Sequence, residues 1–229
     1  MAGNPYIAPK LFEFLRDLKK NNTREWFEEN KGRYEGDLRG PLLDFIEDFS
    51  EHLSKISGHF EADNRKVGGS LFRIYRDVRF SKDKSPYKTH AGIHFRHESA
   101  RDVHAPGFYL HLEPGESFIG VGIWHPDKAT LDKIRGAILE HPEKWKRASR
   151  DAKFRRQFKL DGDSLKRAPA GVDPEHPLIE DLRRKDFVAG YQTTEKAVCA
   201  PGFVKSVAGI WQKSSPFMKF LTQAVGLPY

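Results

Sequence analysis

Apolar residues in the first quarter of the chain recur at intervals of three and four. Leu11, Phe14, Leu15 and Leu18 mark one face of a helix that Asn21 and Asn22 stop. Thr23 stands three residues before Trp26 as an N-cap, and Trp26, Phe27, Asn30 and Tyr34 form the next stripe. Gly36, Gly40 and Pro41 interrupt that stripe. Pro41 suits the first turn of a further helix, in which Leu42, Phe45, Ile46, Phe49 and Leu53 repeat at helical spacing as far as Gly58. Residues 9–57 are therefore expected to be helical.

Over residues 69–125 the period falls to two. Aromatic and β-branched residues alternate with polar ones between turn-forming Gly, Pro, Asp and Glu, which predicts strands near 69–78, 90–97, 107–113 and 117–124. The last two meet at Glu113-Pro114-Gly115-Glu116 and should form an antiparallel hairpin. Residues 127–226 return to helices and a loop. Asp127 caps a helix with Leu131, Ile134 and Ile138 on its apolar face, and a basic helix with Trp145 and Phe154 follows. The Gly-, Pro- and Asp-rich stretch 161–177 reads as a long exposed loop. A short helix at 178–184, a strand at 186–192 and a helical region at 201–225 complete the chain. The expected fold class is α+β: one domain over residues 1–229, with an antiparallel sheet of about four to six strands packed against N-terminal and C-terminal helices.

Composition narrows the class. The chain has 229 residues, of which 38% are hydrophobic, with 17 Phe and 4 Trp for a core and 31% charged residues for the surface. The one cysteine, Cys199, excludes an internal disulfide and a zinc site built on several thiolates, and has no activating neighbour in sequence. A reducing, cytoplasmic setting is expected. No stretch approaches the ~18 apolar residues of a membrane span, and the N-terminus lacks a secretory apolar core. The net charge of +7 favours an anionic partner. It is concentrated in one place: residues 65–90 carry eight Lys or Arg against two acids, whereas residues 1–64 hold more acids than bases.

Strand alternation separates two faces of the sheet. One is apolar, with Phe72, Ile74, Ile93, Phe95, Phe108, Leu110, Leu112, Ile119, Val121 and Ile123. The other carries Arg73, Tyr75 and Asp77; His90, His94 and Arg96; Tyr109, His111 and Glu113; and Gly120, Gly122 and Trp124. Arginine supplies a donor fork for phosphate or carboxylate, histidine transfers protons near neutral pH, and the alternating glycines leave room above the backbone. Between Ser81 and Pro86 the basic segment turns, with Lys82, Lys84 and Lys88 around the bend. Such a turn can hold an anion with charge and backbone donors together, or can blunt a sheet edge. Gly120-x-Gly122 lies within a strand and is no dinucleotide loop. His90 and His94 share a strand face without a ligand spacing, so neither a metal nor a cofactor is expected.

The strings Asn21-Asn22-Thr23-Arg24-Glu25-Trp26-Phe27, with Asn30, Lys31 and Tyr34, and Phe72 through Lys84, with Pro86, Tyr87 and Lys88, strongly resemble a bacterial and fungal family, domain of unknown function 2461. The resemblance extends to Gly107-Phe108-Tyr109 and Pro216-Phe217. It implies one domain over nearly the whole chain and brings no substrate with it.

Three functional expectations follow from the residues. The first is a basic pocket on the sheet face for a small phosphorylated or carboxylated ligand. Its lining would be Arg73, Tyr75, Arg76, Arg79, Lys82, Lys84, Lys88, Arg96, Tyr109 and Trp124. If chemistry occurs there, His111 or His94 would carry protons and Asp77 would orient. The second is nucleic-acid binding through the basic turn and the basic helix at 144–159, although the chain holds no named nucleic-acid module. The third is a structural or protein-interaction role, with the basic segment paired to the acidic N-terminal helices. No motif specifies a reaction.

Overall fold

A computed structural model describes residues 3–99 and 104–229. Helix α1, Pro9–Lys20, buries Leu11, Phe12, Phe14, Leu15 and Leu18, and α2, Arg24–Glu29, starts where the Thr23 hydroxyl accepts the Trp26 N–H at 3.3 Å. The expected break at Gly36–Pro41 does not occur. The chain stays helical through a wide π-helical stretch, Tyr34–Arg39, and runs into α3, Gly40–Ile56. Pro41 has no N–H to donate within the helix, which a widened turn accommodates, and Gly40 lacks the Cβ that would stand 2.9 Å from the Glu35 carbonyl there.

Among the described residues six antiparallel strands follow: β1, Phe60–Glu61; β2, Ala91–His97; β3, Gly107–Leu112; β4, Phe118–Ile123; β5, Lys159–Asp161; and β6, Phe187–Gln192. They form one sheet in the order β1-β2-β3-β4-β6-β5. Helices α4, Lys128–Glu140, α5, Pro142–Arg150, and α6, Ala152–Gln157, connect β4 to β5, while α7, Phe203–Lys213, and α8, Ser215–Ala224, close the chain. Asp127 caps α4 by accepting the Thr130 N–H at 2.7 Å.

The predicted strand at 69–78 is replaced by an irregular excursion held by isolated bridges, Leu71 with Ile93 and Tyr75 with Tyr87. The carboxylate of Asp77 accepts the Arg79 N–H and that of Asp83 the Ser85 N–H, and these local turns take the backbone out of the extended state a ladder needs. The excursion is anchored instead to the N-terminal helices. Asn22 donates its amide to the Tyr87 carbonyl and accepts the Tyr87 N–H, both at 3.0 Å, and Phe27 stacks on Tyr87 at 4.1 Å.

One contiguous buried cluster extends from Ile7 to Leu221. Against the apolar sheet face, Phe49 of α3 stacks on Phe95 at 5.3 Å, and Trp211 of α7 meets both rings edge-on. The Trp211 indole N–H donates to the Gly120 carbonyl at 3.1 Å, fixing the centre of β4 from the core side. The opposite sheet face is thereby left to build a cavity.

Candidate ligand pocket on the open sheet face

The register sets the floor of this cavity. His94 pairs with Tyr109, Tyr109 with Gly120, and Gly120 with Gly190; in the next row Gly92 pairs with His111, His111 with Phe118, and Phe118 with Gln192. Side chains in these rows share one face because residues two apart on a strand point the same way. Above Gly190 nothing stands within 4 Å of where a Cβ would be, whereas Gly92 and Gly107 lie directly under the Tyr109 hydroxyl and the His94 ring. Small residues thus admit two large polar side chains at one end and leave open space at the centre. The resulting cavity of about 530 Å³ is walled by Phe72, Tyr109, Phe118 and Trp124 and rimmed by Lys88, His90, His94 and His111.

Its polar end is a chain of hydrogen bonds. The Tyr109 hydroxyl lies 3.0 Å from His111 Nδ1, and His111 Nε2 lies 3.1 Å from Glu113 Oε2. A carboxylate only accepts, so His111 donates through Nε2, and in the neutral ring Nδ1 is then the acceptor for the Tyr109 hydroxyl. His90 stacks beside His111 with ring centres 4.5 Å apart, its Nδ1 4.0 Å from Glu113 Oε2. Burial, and next the neighbouring His111, push His90 down to about 4. His94, 6% exposed, is held at about 4 by burial and next by Arg96, and its Nδ1 is buried without a hydrogen-bond partner among the described residues. Burial, then the Glu113 charge, raises the Tyr109 phenol above its ordinary range. Lys88 is lowered by burial and then by Arg73, while its ammonium donates to the Arg73 carbonyl at 2.9 Å.

At the far end, Trp124, Asp161 and Gly162 close the wall. Behind them Asp186, buried to 2%, accepts the His125 N–H at 2.7 Å and the Asp163 N–H at 2.9 Å, with His125 Nδ1 at 3.0 Å from the same carboxylate. His125 adopts φ 46°, a left-handed conformation that these contacts enforce.

The expected basic lining is largely elsewhere. Of the residues assigned to it, Lys88, Tyr109 and Trp124 line the cavity, together with His94 and His111. Arg76 pairs with Asp83 and Arg79 with Asp77, so the carboxylate expected to orient a reaction is spent on a neighbouring guanidinium, which holds it down at about 2. Ser85, and next Arg76, likewise depress Asp83. Lys84 donates to the Val78 carbonyl, and Arg96 donates to the Gly68 and Gly69 carbonyls beside a separate polar cleft. Arg73 and Lys82 face solvent, and Tyr75, half exposed, packs on Phe27 and Tyr87. Phe72, assigned to the core, lines the cavity instead, because without a regular strand its alternation has no meaning.

The expectation also gave no role to His90, to Glu113 or to the pair of His125 and Asp186. His90 and Glu113 were placed on this face but assigned no role; Ala91 pairs with Leu112, so the adjacent His90 and Glu113 come opposite one another. The i, i+2 spacing of His111 and Glu113 on one strand was the available signal. The third, the clamp between His125 and Asp186, joins residues 61 apart and had none.

A family model described as a conserved hypothetical protein (DUF2461) matches residues 10–220. No curated protein and no solved structure matches the chain.

Proposed function

We propose, for a chain that belongs to the DUF2461 family of conserved hypothetical proteins, that the sheet-face cavity binds a small molecule with a flat apolar body and one anionic group. The observation that carries the reading is the cavity itself, about 530 Å³ with an open floor at Gly190 and aromatic walls. That volume lies within the ~300–1,000 Å³ range of small-ligand sites, which combine apolar lining with few polar groups. A planar body laid across Gly120 and Gly190 would contact Tyr109, Phe118 and Trp124. Its anionic end would meet Lys88, whose half-buried ammonium gains from a counter-charge. The arginines of the basic turn play no part in this reading, since Arg76 and Arg79 already have carboxylates.

Thermal-shift and calorimetric titration of the full chain against aromatic carboxylates and aryl phosphates tests it. Gly190→Leu fills the open floor and should abolish binding with the melting temperature preserved. Lys88→Ala should weaken acidic ligands by roughly tenfold or more, the worth of a charge-assisted hydrogen bond, and spare neutral analogues. Absence of binding across the panel, or binding indifferent to Gly190→Leu, would overturn the proposal. Retention of RNA or DNA with a steep salt dependence by the wild type and by Gly190→Leu alike would instead support an interface on the basic turn.

A further inference from the structure

We infer that His90, His111 and Glu113 form a binding site for a divalent transition-metal ion, of the zinc or ferrous-iron class, at the polar end of the cavity. One ligand atom from each of the three lies within 4.8 Å of the others. A metal with bonds of about 2.0–2.2 Å to nitrogen and oxygen needs its ligands roughly 3–3.5 Å apart. His111 Nε2 and Glu113 Oε2, at 3.1 Å, already satisfy this. His90 Nδ1 is 4.0 Å from the same oxygen and makes no hydrogen bond among the described residues that closing on an ion would break.

The surroundings resemble the outer shell of a metal site. A ligating histidine normally gives its second ring N–H to an oxygen, and the Tyr109 oxygen stands 3.0 Å from His111 Nδ1. Binding would exchange tautomers: the Nε2 proton is replaced by the metal, Nδ1 takes a proton and donates to Tyr109, and the imidazole stays neutral. Glu113 is held by its own backbone, whose N–H donates to the Ser117 hydroxyl at 3.1 Å while its carbonyl accepts from that hydroxyl at 2.9 Å. Metal would take both imidazoles in their neutral form, the form that ligates. Two imidazoles and one carboxylate without thiolate suit zinc or ferrous iron over calcium or magnesium, which take oxygen sets. Three protein ligands leave coordination positions open towards the cavity, as catalytic rather than structural sites do.

Two cations oppose the ion. Lys88 is engaged with the Arg73 carbonyl, and Lys19 stands 3.9 Å from Glu113 Oε1 on a largely exposed side chain. Removing Lys19 should therefore tighten binding.

Metal alone is the probe, so the test is separate from that of the organic ligand. Chelator-treated full-length protein is titrated with Co²⁺, followed by its visible ligand-field bands and by displacement with Zn²⁺, with metal content measured by mass spectrometry. One ion per chain is expected. His90→Ala and His111→Ala should each abolish the bands, Tyr109→Phe should weaken binding about tenfold through the outer shell, and Lys19→Ala should strengthen it several-fold. Gly190→Leu, which blocks the organic ligand, should leave the Co²⁺ bands in place. Because the His90 side chain has no hydrogen bond to lose among the described residues, His90→Ala remains informative if His111→Ala fails to fold. No stoichiometric binding by the wild type overturns the site. So does binding that survives His90→Ala but is lost in the exposed control His141→Ala.

Discussion

Lowering the pH tests the energetic standing of His94. Its ring is buried, its Nδ1 has no partner among the described residues, and it stands over Gly107 so closely that a Cβ there would be 2.0 Å from Nε2. Its pKa falls from 6.5 to about 4 on folding. Between these values the unfolded chain binds a proton that the folded chain refuses, so stability rises with pH across the window and is lost as pH falls from about 6.5 through about 4. At about 1.4 kcal/mol per unit, His94 contributes roughly 3 kcal/mol at neutral pH that is gone at the acid end, and about 2 kcal/mol of it is lost by pH ~5. That is a sizeable share of the 5–15 kcal/mol of a typical domain. Denaturant unfolding at several pH values, for the wild type and His94→Gln, reads the difference directly. His90, which is also depressed, is common to both proteins and cancels. The wild type should lose about 2 kcal/mol more than the variant on going from pH 7 to pH 5. Parallel curves would refute the assignment of a buried neutral imidazole.

Two substitutions test how the floor and its support are held. Gly122 has φ 125°, and an added Cβ would lie 2.0 Å from the Phe187 carbonyl on β6, so Gly122→Ala should cost roughly 2–5 kcal/mol and lower the melting temperature by about 10 °C; a change under about 1 °C would show the backbone there to be compliant. Asn22→Ala removes both hydrogen bonds to Tyr87 and should cost about 1–3 kcal/mol. Hydrogen exchange should show the Tyr87 amide losing protection, and unchanged protection would count against the anchor.

The parts of the molecule legible in sequence are those whose residues pair with regular neighbours. Alternation over 90–97, 107–113 and 117–124 sorted core from cavity because these segments lie in a continuous ladder, and Thr23 and Asp127 announced their helices by chemistry that acts within three residues. Strands β1 and β5, of two and three residues, carry no period and exist only because β2 and β6 offer them an edge. The basic segment misled for a related reason. A charge count includes Asp77 and Asp83 but is blind to where they act: each neutralises one particular arginine and bends the backbone at the same point. What was read as a cleft-lining strand is a self-paired loop. The cluster of His90, His111 and Glu113 needed a register, which no single strand specifies.

The two strings that carry the family resemblance turn out to be one physical unit. Asn22, Phe27 and Tyr34 belong to the first, and Tyr75 and Tyr87 to the second; Phe27 lies within 6.2 Å of Tyr34, Tyr75 and Tyr87, and Asn22 clasps the Tyr87 backbone. The consequence reaches the cavity. Tyr87 immediately precedes Lys88, Thr89 and His90, and Lys88 is fixed by its N–H to the Ile74 carbonyl at 2.7 Å and by its ammonium to Arg73. Phe72, at the other end of the excursion, is held to β2 by its N–H on the Gly92 carbonyl at 2.9 Å, and Lys88 lies over its ring. The N-terminal helices therefore set the position of one wall and of the rim cation, although neither α1 nor α2 contributes a lining residue. A segment first conspicuous for its charge matters to the cavity through its two ends, where one aromatic ring, one lysine and one histidine are presented, while most of the charge between them is spent on closing the loop.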